Sequence, residues 1–326
     1  MAPIDTYGRR ISYLRMSVTD LCNLRCRYCM PAEGVRKVSH NDILSFEQML
    51  RIARIAVSQG IEKIRITGGE PLVRRNLVQF LGDLAVIDGL RELVLTTNGI
   101  LLRRCAHELR SAGVQRLNVS LDSLRPETFS SLTRGGKLES VLDGIAAAEQ
   151  AGFPPVKINT VVIRGMNDCE LIDFAAMTIR TPRQIRFIEY MPTTTAPDWP
   201  SAYVSGEEIL RKLGEAYELE AVPSSKSSGP AAVYRIPGAL GTIGVITPIS
   251  NHFCNSCNRI RVTASGVIKG CLFDNSGVCL EPYLSGSDDE LRDVLLQVLR
   301  DKPDRHHLSD STVTQIVPFA MSQIGG

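Results

Sequence analysis

Three cysteines near the N-terminus carry the most informative chemistry of this 326-residue chain. Cys22, Cys26 and Cys29 follow a C-x3-C-x2-C spacing, so their thiolates can converge on one metal centre. Zinc and four-iron sites are normally closed by four ligands, and three cysteines leave one metal position open. A small molecule can bind and react at an open metal position. We therefore predict a reactive metal centre in this segment.

A pair of glycines adds a second signal. Gly68 and Gly69 follow a predicted strand and allow the backbone to approach a ligand closely, although Gly-Gly-Glu-Pro alone could be a tight turn. In combination with the cysteine triplet, the pattern resembles the radical S-adenosylmethionine (radical SAM) family, in which the open iron of a 4Fe–4S cluster binds the amino and carboxylate groups of the cofactor. Tyr28 matches the position that this family uses against the adenine.

A second cysteine triplet lies in the C-terminal third of the chain. Cys254, Cys257 and Cys271 could form a structural zinc site if Cys279 supplied a fourth sulfur. The neighbouring sequence Asn258–Arg261 argues against a purely structural role, because it places two guanidiniums beside the metal. Arginine is suited to bidentate contact with phosphate. The residues therefore favour a second metal site that faces an anionic ligand, and a structural zinc site stays open as the alternative.

Composition limits the class of partner. The chain is 44% apolar, carries a formal charge of +2 and has no run of about 18 apolar residues. We therefore expect no nucleic-acid partner, no membrane span and a reducing cytoplasmic location with metal-bound thiolates. The remaining cysteines, Cys105, Cys169 and Cys279, are interpreted as incidental thiols. His306 and His307 are interpreted as a solvated pair.

Alternating strands and helices must position these groups. Apolar runs predict strands, and amphipathic runs predict helices, the clearest with a capping box of Ser45 and Gln48. Six strand–helix units in series predict a parallel sheet, and eight would close a TIM barrel. The fold class is therefore α/β: an incomplete (β/α)6 TIM-like barrel with a C-terminal extension over its open side. The predicted strands cover residues 13–18, 63–67, 92–97, 116–121, 156–162 and 185–189, and the predicted helices cover 46–58, 77–87, 102–112, 138–151, 170–179 and 206–216.

The alternation of predicted strands and helices ends near residue 217. A Ser/Pro/Gly-rich stretch at 222–230 predicts a linker. We predict a barrel domain over residues 1–220 with the first cluster, and an extension over 221–326 with the second. Cations on or beside the strands, at Arg15, Lys63, Arg65 and Lys157, are predicted to face one cavity. Because the chain lacks a G-x4-G-K-[ST] phosphate loop, side-chain cations would have to neutralise any polyphosphate.

Eight motifs in one order narrow the resemblance. They are LRMSVTDLCNLRCRYCMP, IRITGGEPLVR, TTNG, NVSLDS, KINTVV, RFIEYMP, FCNSCNRIRVTASG and a terminal Gly-Gly. Over almost its whole length the chain resembles the GTP 3′,8-cyclase family, which performs the first step of molybdenum cofactor biosynthesis. The departures are small: Leu21 stands where that family usually has Arg, and Met16 where it usually has Leu.

This resemblance implies a lyase with two 4Fe–4S clusters, one on the N-terminal and one on the C-terminal cysteine triplet. The cofactor S-adenosylmethionine would yield a 5′-deoxyadenosyl radical that abstracts the ribose 3′ hydrogen of GTP. The product would be (8S)-3′,8-cyclo-7,8-dihydroguanosine 5′-triphosphate. The resemblance implies catalytic roles for the first triplet, Arg259, Arg261, Gly325 and Gly326; cofactor contacts at Tyr28, Gly69, Ser120 and Met191; and GTP contacts at Arg15, Arg65, Thr96, Lys157, Arg259, Ile260 and Arg261.

The family resemblance also implies partners. These are a reduced flavodoxin- or ferredoxin-type electron donor, a second copy of the chain in a homodimer, and cyclic pyranopterin monophosphate synthase as the recipient of the product. Two alternatives stay open. One is a radical SAM enzyme with an auxiliary cluster that acts on a peptide or another substrate, and the other is a non-enzymatic iron–sulfur or zinc protein.

Overall fold

One continuous sheet organises the protein. The computed structural model describes residues 2–34, 43–192, 199–223, 229–274 and 277–306. Within these ranges the sheet has twelve strands. They are β1 (Tyr13–Ser17), β2 (Lys63–Thr67), β3 (Glu92–Thr97), β4 (Arg116–Ser120), β5 (Lys157–Val162), β6 (Gln184–Glu189), β7 (Glu220–Val222), β8 (Ala232–Arg235), β9 (Thr242–Ile246), β10 (Arg259–Val262), β11 (Val267–Lys269) and β12 (Val278–Cys279).

The strand order is β12-β11-β10-β1-β2-β3-β4-β5-β6-β9-β8-β7. The run from β10 through β1–β6 to β9 is parallel, and short antiparallel hairpins finish both edges. The order of the described strands is linear, so hydrogen bonds do not close the sheet into a circle. The predicted incomplete barrel is confirmed. The C-terminal part also extends it, since β9 pairs with β6 and β10 pairs with β1.

The helices cover the outer face of the sheet. They are α1 (Phe46–Ser58), α2 (Leu77–Ala85), α3 (Leu102–Ser111), α4 (Pro126–Thr133), α5 (Leu138–Gln150), α6 (Leu171–Arg180), α7 (Trp199–Ala202), α8 (Gly206–Gly214), α9 (Glu281–Leu284) and α10 (Asp288–Arg300). The capping box of α1 is confirmed: the Gln48 N–H donates to Ser45 Oγ, and the Ser45 N–H donates to Gln48 Oε1. Among the described helices none is long and apolar enough to span a membrane.

Strand alternation separates an apolar outer face from a polar inner face. Leu14, Met16 and Ile64 are fully buried in the main hydrophobic core under the helices. Their neighbours in sequence, such as Arg15 and Arg65, point to the other side of the same strands, as a period of two requires. The core therefore holds the sheet from outside, and the inner face is left for charged side chains.

Candidate active site

The first cysteine triplet follows β1. Cys22, Cys26 and Cys29 are all partly buried, and Cys22 Sγ accepts the Leu24 N–H at 3.4 Å. Burial raises the pKa of Cys26 well above its usual value, and the negative charges of Asp122, Cys29 and Cys22 add to the effect. The Cys29 N–H also donates to Cys26 O at 2.9 Å, so the second and third cysteines of the triplet share one turn of the loop.

The cysteine spacing fits a cluster better than a single ion. In the part of the chain that the structure describes, no three His, Cys, Asp or Glu side chains surround a single-ion position. A four-iron cluster is larger and is held by thiolates on separate irons, so its ligands need not converge on one point. The donor set of three thiols fits such a group.

The Gly-Gly segment packs directly against the cysteine loop. Gly69 donates its N–H to Thr19 O at 2.7 Å, and a Cβ at Gly69 would lie 2.3 Å from Leu21 O. Glycine is therefore required here by the approach of a second loop, in addition to any ligand. Asp20 in that loop is buried, and its carboxylate oxygens have no hydrogen-bond partner among the described residues. An orphaned carboxylate at this position fits a cationic ligand.

Glu70 fixes the end of β2 to the end of β3. Its carboxylate is fully buried and accepts hydrogen bonds from the Thr97 hydroxyl at 2.7 Å and the Asn98 N–H at 2.6 Å. Burial raises the pKa of Glu70 to about 7, against the effect of these donors. The sequence indicated a turn at this residue but did not reveal the carboxylate as the bridge between two strand ends.

The residues predicted to contact the cofactor lie at strand ends on the same edge. Ser120 ends β4, Met191 follows β6, and the Tyr28 hydroxyl donates to Asp122 Oδ2 at 2.7 Å. Burial raises the pKa of Asp122 to about 6, although hydrogen bonds from Tyr28 and Val161 oppose the shift. Asp122 was not among the predicted site residues, and its position directly after β4 was the available signal.

A row of arginines crosses the inner face of the sheet. Arg15 of β1 lies in register with Arg65 of β2 on one side and with Arg261 of β10 on the other. Arg65 and Arg261 are buried and Arg15 is partly buried, and burial lowers the pKa of Arg15 to about 10 and that of Arg261 well below its usual value. The Nε atoms of Arg15 and Arg259 have no hydrogen-bond partner among the described residues. Buried guanidinium donors of this kind fit an anionic ligand.

Thr96 and Tyr13 hold one member of this row. Arg65 donates from Nη1 to Thr96 Oγ1 at 3.1 Å and from Nε to the Tyr13 hydroxyl. Tyr13 was not predicted as a site residue, although its place two residues before Arg15 on one strand was a usable signal. Lys63 faces the same side, as predicted, but pairs with Glu92.

Lys157 and Arg186 extend the cationic surface to β5 and β6. Burial lowers the pKa of Lys157 to about 6, with further lowering by Arg186 and Arg116. Lys157 also lines a cavity of about 360 Å³ whose other lining residues are Arg116, Pro154, Pro155, Pro182, Gln184 and Thr242. Arg186 was missed in the sequence, where it lies between the apolar residues Ile185 and Phe187. Ile260 was also predicted to contact GTP. Its side chain is buried in the main hydrophobic core, on the face of the sheet opposite the cations.

The second cysteine triplet is next to this row. Cys254 begins a 3-10 turn that Cys257 follows, both lie before β10, and Cys271 follows β11. Burial would raise the pKa of Cys257, but Arg259 and Lys302 lower it to about 6. Lys302 is buried and donates from Nζ to Cys257 Sγ at 3.5 Å.

Two observations separate these cysteines from a four-sulfur zinc site. Burial raises the pKa of Cys254, and the nearby charges of Cys271 and Cys257 raise it further. These interactions indicate that the three thiols are neighbours. Cys279, the candidate fourth ligand, is exposed on the edge strand β12. Three thiols, as in the first site, are therefore the available donors in this loop.

A buried arginine joins this loop to the segment before β1 and to the segment that follows α10. Arg9 pairs with Asp5 at 2.5 Å and donates to the backbone oxygens of Cys254 at 3.0 Å and Pro303 at 2.7 Å. The prediction of a solvated pair at His306 and His307 is wrong for His306, which is buried and hydrogen-bonds Pro248 O at 2.8 Å. Apolar packing against Phe273 explains the burial. His307, Gly325 and Gly326 lie outside the described residues.

The sequence is similar to two known families along consecutive stretches. Residues 16–178 match the Radical SAM superfamily, and residues 183–308 match the family described as Molybdenum Cofactor Synthesis C. Among curated relatives, a GTP 3′,8-cyclase of Geobacter sulfurreducens is 58% identical over 100% of both chains. A GTP 3′,8-cyclase of Moorella thermoacetica is 47% identical over 99% of both chains.

Solved structures support the fold alone. The crystal structure of Streptococcus suis SuiB bound to S-adenosylmethionine superposes with a TM-score of 0.64 at 15% sequence identity. The superposition covers 92% of this chain and 68% of that chain. A sheet of this kind is therefore present in proteins that share little of the sequence.

Proposed function

The chain belongs to the GTP 3′,8-cyclase family of the radical SAM superfamily, and from this membership we propose how its residues divide the work of the reaction. The protein is a radical SAM enzyme that cyclises GTP in molybdenum cofactor biosynthesis, with S-adenosylmethionine and two 4Fe–4S clusters as cofactors. When bound, the cluster and S-adenosylmethionine supply the radical that removes a ribose hydrogen. The remaining tasks fall to the protein.

The first triplet, Cys22, Cys26 and Cys29, would hold the cluster that binds the cofactor. The cofactor would contact Tyr28 in the cysteine loop between β1 and α1. At the carboxyl ends of β2, β4 and β6 it would contact Gly69, Ser120 and Met191, respectively. The acidic groups there support this assignment, because the sulfonium and ammonium groups of S-adenosylmethionine are cations. Asp20, Glu70 and Asp122 are buried beside the cysteine loop or at these strand ends.

The arginine row is the observation that carries the assignment of the substrate site. Arg15, Arg65 and Arg261 lie in register on one face, and the second triplet begins a few residues before β10. A triphosphate would supply the negative charge that this row of cations attracts. We assign the triphosphate to this row together with Thr96 and Lys157. Arg259 and the main chain of Ile260 would lie against the base, which the cluster on Cys254, Cys257 and Cys271 would hold.

Further roles follow from family membership. Residues 1–220 would form the cofactor-binding barrel and residues 221–326 the substrate-cluster extension. Gly325 and Gly326 would reach the active site, so their removal should abolish turnover while both clusters still assemble. The enzyme would work in the cytoplasm as a homodimer. It would take electrons from a flavodoxin- or ferredoxin-type donor and pass its product to cyclic pyranopterin monophosphate synthase.

An anaerobic assay tests this assignment. Reconstituted protein is incubated with dithionite, S-adenosylmethionine and GTP, and 5′-deoxyadenosine and GTP-derived products are followed by mass spectrometry. We expect GTP-dependent 5′-deoxyadenosine and a product isomeric with GTP. Deoxyadenosine without conversion of GTP would require another substrate.

Matched variants separate the two cysteine sites. Cys26→Ser should abolish cofactor cleavage altogether. Cys257→Ser should retain the first cluster and its slow cleavage of S-adenosylmethionine but lose cyclisation. If Cys257→Ser cyclised GTP normally, the second triplet would have no part in substrate binding. Cys169→Ser, at an exposed thiol, is the control for loss of any cysteine.

A further inference from the structure

Tyr13 is a buried phenol surrounded by cations. Its ring lies 5.1 Å from Lys63 Nζ and 5.7 Å from the Cζ atoms of both Arg15 and Arg65. Its register partners on the neighbouring strands are Lys63 and Arg259. Only 6% of Tyr13 is exposed, so water contributes little to the balance of charge around it.

The phenol oxygen has a defined partner. Arg65 donates from Nε to the Tyr13 hydroxyl, and from Nη1 to Thr96. The hydroxyl oxygens of Tyr13 and Thr96 therefore accept hydrogen bonds from the Arg65 guanidinium, which we propose binds the triphosphate. A triphosphate would compete for the same donors, because it brings several charged oxygens and each bond that the guanidinium donates to them is a charge-assisted hydrogen bond.

We propose that Tyr13 is the resident counter-anion of the arginine row, a positioning residue whose phenol oxygen holds Arg65 until a phosphate oxygen replaces it. This inference rests on the proposed triphosphate site. It assigns to Tyr13 a role in setting how strongly, and at which pH, that site accepts a polyanion.

The electrostatics agree with the geometry. Burial would raise the pKa of Tyr13, but Arg65, Arg15 and Lys63 lower it to about 7. The phenol is therefore partly ionised near neutral pH when no ligand is present. An incoming polyphosphate would neutralise the same cations and return the pKa toward its usual value, so the phenolate would take up a proton from solvent. The charged groups around it are Arg15 on β1, Lys63 and Arg65 on β2, Glu92 on β3, Arg186 on β6 and Arg259 on β10.

Binding of tripolyphosphate to the anaerobic holoenzyme tests the proposal. Calorimetry at pH 6, 7 and 8, in two buffers of different ionisation enthalpy, gives both the affinity and the number of protons taken up. Between pH 7 and 8 the affinity of the wild type should fall by up to about tenfold more than that of Tyr13→Phe, because one competing proton is linked to binding. Tyr13→Phe should also take up a smaller fraction of a proton. Tyr234→Phe, on the edge strand β8, is the matched control and should behave as the wild type.

The outcomes are distinguishable. If Arg65→Met abolishes tripolyphosphate binding but Tyr13→Phe has the pH profile of the wild type, the role of Tyr13 is refuted and the substrate site stands. If tripolyphosphate does not bind, or if Arg65→Met has no effect on its binding, the assignment of the triphosphate fails and this inference fails with it. Should Tyr13→Phe assemble poorly, a ring-fluorinated tyrosine at position 13 keeps the shape and lowers the phenol pKa. The break in the pH profile should then move to lower pH, and an unchanged break would refute the proposal.

Discussion

Replacement of Lys157 by methionine should make the enzyme more stable and bind GTP less tightly. Lys157 is partly buried on β5 and lines the cavity near Arg116 and Gln184. Burial, followed by Arg186 and Arg116, lowers its pKa from 10.5 to about 6. The ligand-free enzyme therefore keeps this lysine mostly neutral at pH 7.5, whereas the unfolded chain protonates it.

The sign follows from proton linkage. Between pH 6 and 10.5 the unfolded state binds more protons than the folded state, so this lysine destabilises the fold least at high pH. At pH 7.5 the difference from the unfolded value of 10.5 corresponds to about 4 kcal/mol. Water in the cavity screens the charge, and we expect about half of that, ~2 kcal/mol. The methionine side chain would keep the apolar stem, so the gain should appear as a rise of about 3 °C in the unfolding temperature.

Anaerobic thermal unfolding at pH 6.5 and 8.5, with and without GTP, measures both effects. The stabilisation by Lys157→Met should be larger at pH 6.5 by ~1.4 kcal/mol. The affinity for GTP should fall by about 10- to 100-fold, the loss of one charge-assisted hydrogen bond. Lys137→Met, at an exposed lysine before α5, is the control. Equal stability of the variant and the wild type at both pH values would refute the electrostatic reasoning, and unchanged GTP affinity would remove Lys157 from the substrate site.

Three further changes test separate parts of the structure. Glu189→Ala removes the acceptor of five donors at the end of β6 and should lower the free energy of unfolding by about 4 kcal/mol. Glu189→Gln should lower it less, and equal losses of the two variants in thermal unfolding would contradict this. Lys302→Met removes a donor to Cys257 and should make the reduction potential of the second cluster more negative in an EPR-monitored titration, and an unchanged potential would argue against the contact. Cys271→Ser should reduce the iron content by one cluster, whereas Cys279→Ser should leave it unchanged; iron loss in both variants would revive a four-sulfur site.

The strands and most of the helices in the first two-thirds of the chain could be predicted because each is a local pattern, but α4 and α7 were missed. The predicted strands at 63–67 and 92–97 agree with the bounds of β2 and β3, and the other four differ by one residue at an end. The strands β7 to β12 were missed. Among them β9 and β10 are short and lie in a turn-rich region, and two of the four residues of β10 are arginines. The stability of β9 and β10 comes from pairing with β6 and β1, which lie more than fifty residues away in the sequence. Such non-local pairing leaves no periodic signal.

The candidate site was predictable in its residue types but not in its partners. Cysteine spacing and strand position predicted both triplets and most of the cations on the inner face of the sheet. The sequence did not predict that Tyr13 contacts Arg65, that Lys302 contacts Cys257, or that His306 is buried. Each depends on which side chains the fold brings together, and hydrophobic patterning does not specify such contacts.

Buried acidic and basic side chains lie at different heights along the strands, and this separation favours different positions for the cofactor and the substrate. Glu70 and Asp122 lie just beyond the carboxyl ends of β2 and β4, whereas Arg15 and Arg65 lie in the middle of β1 and β2. Within one barrel, a cationic cofactor is therefore favoured at the strand ends and a polyanion deeper inside. Like charges buried close together cost stability even where each has a hydrogen-bond partner, so both ligands should stabilise this arrangement when they bind. The same free energy becomes available to binding, which explains why a site built from like charges is maintained and why removing one cation should stabilise the protein at the expense of its substrate.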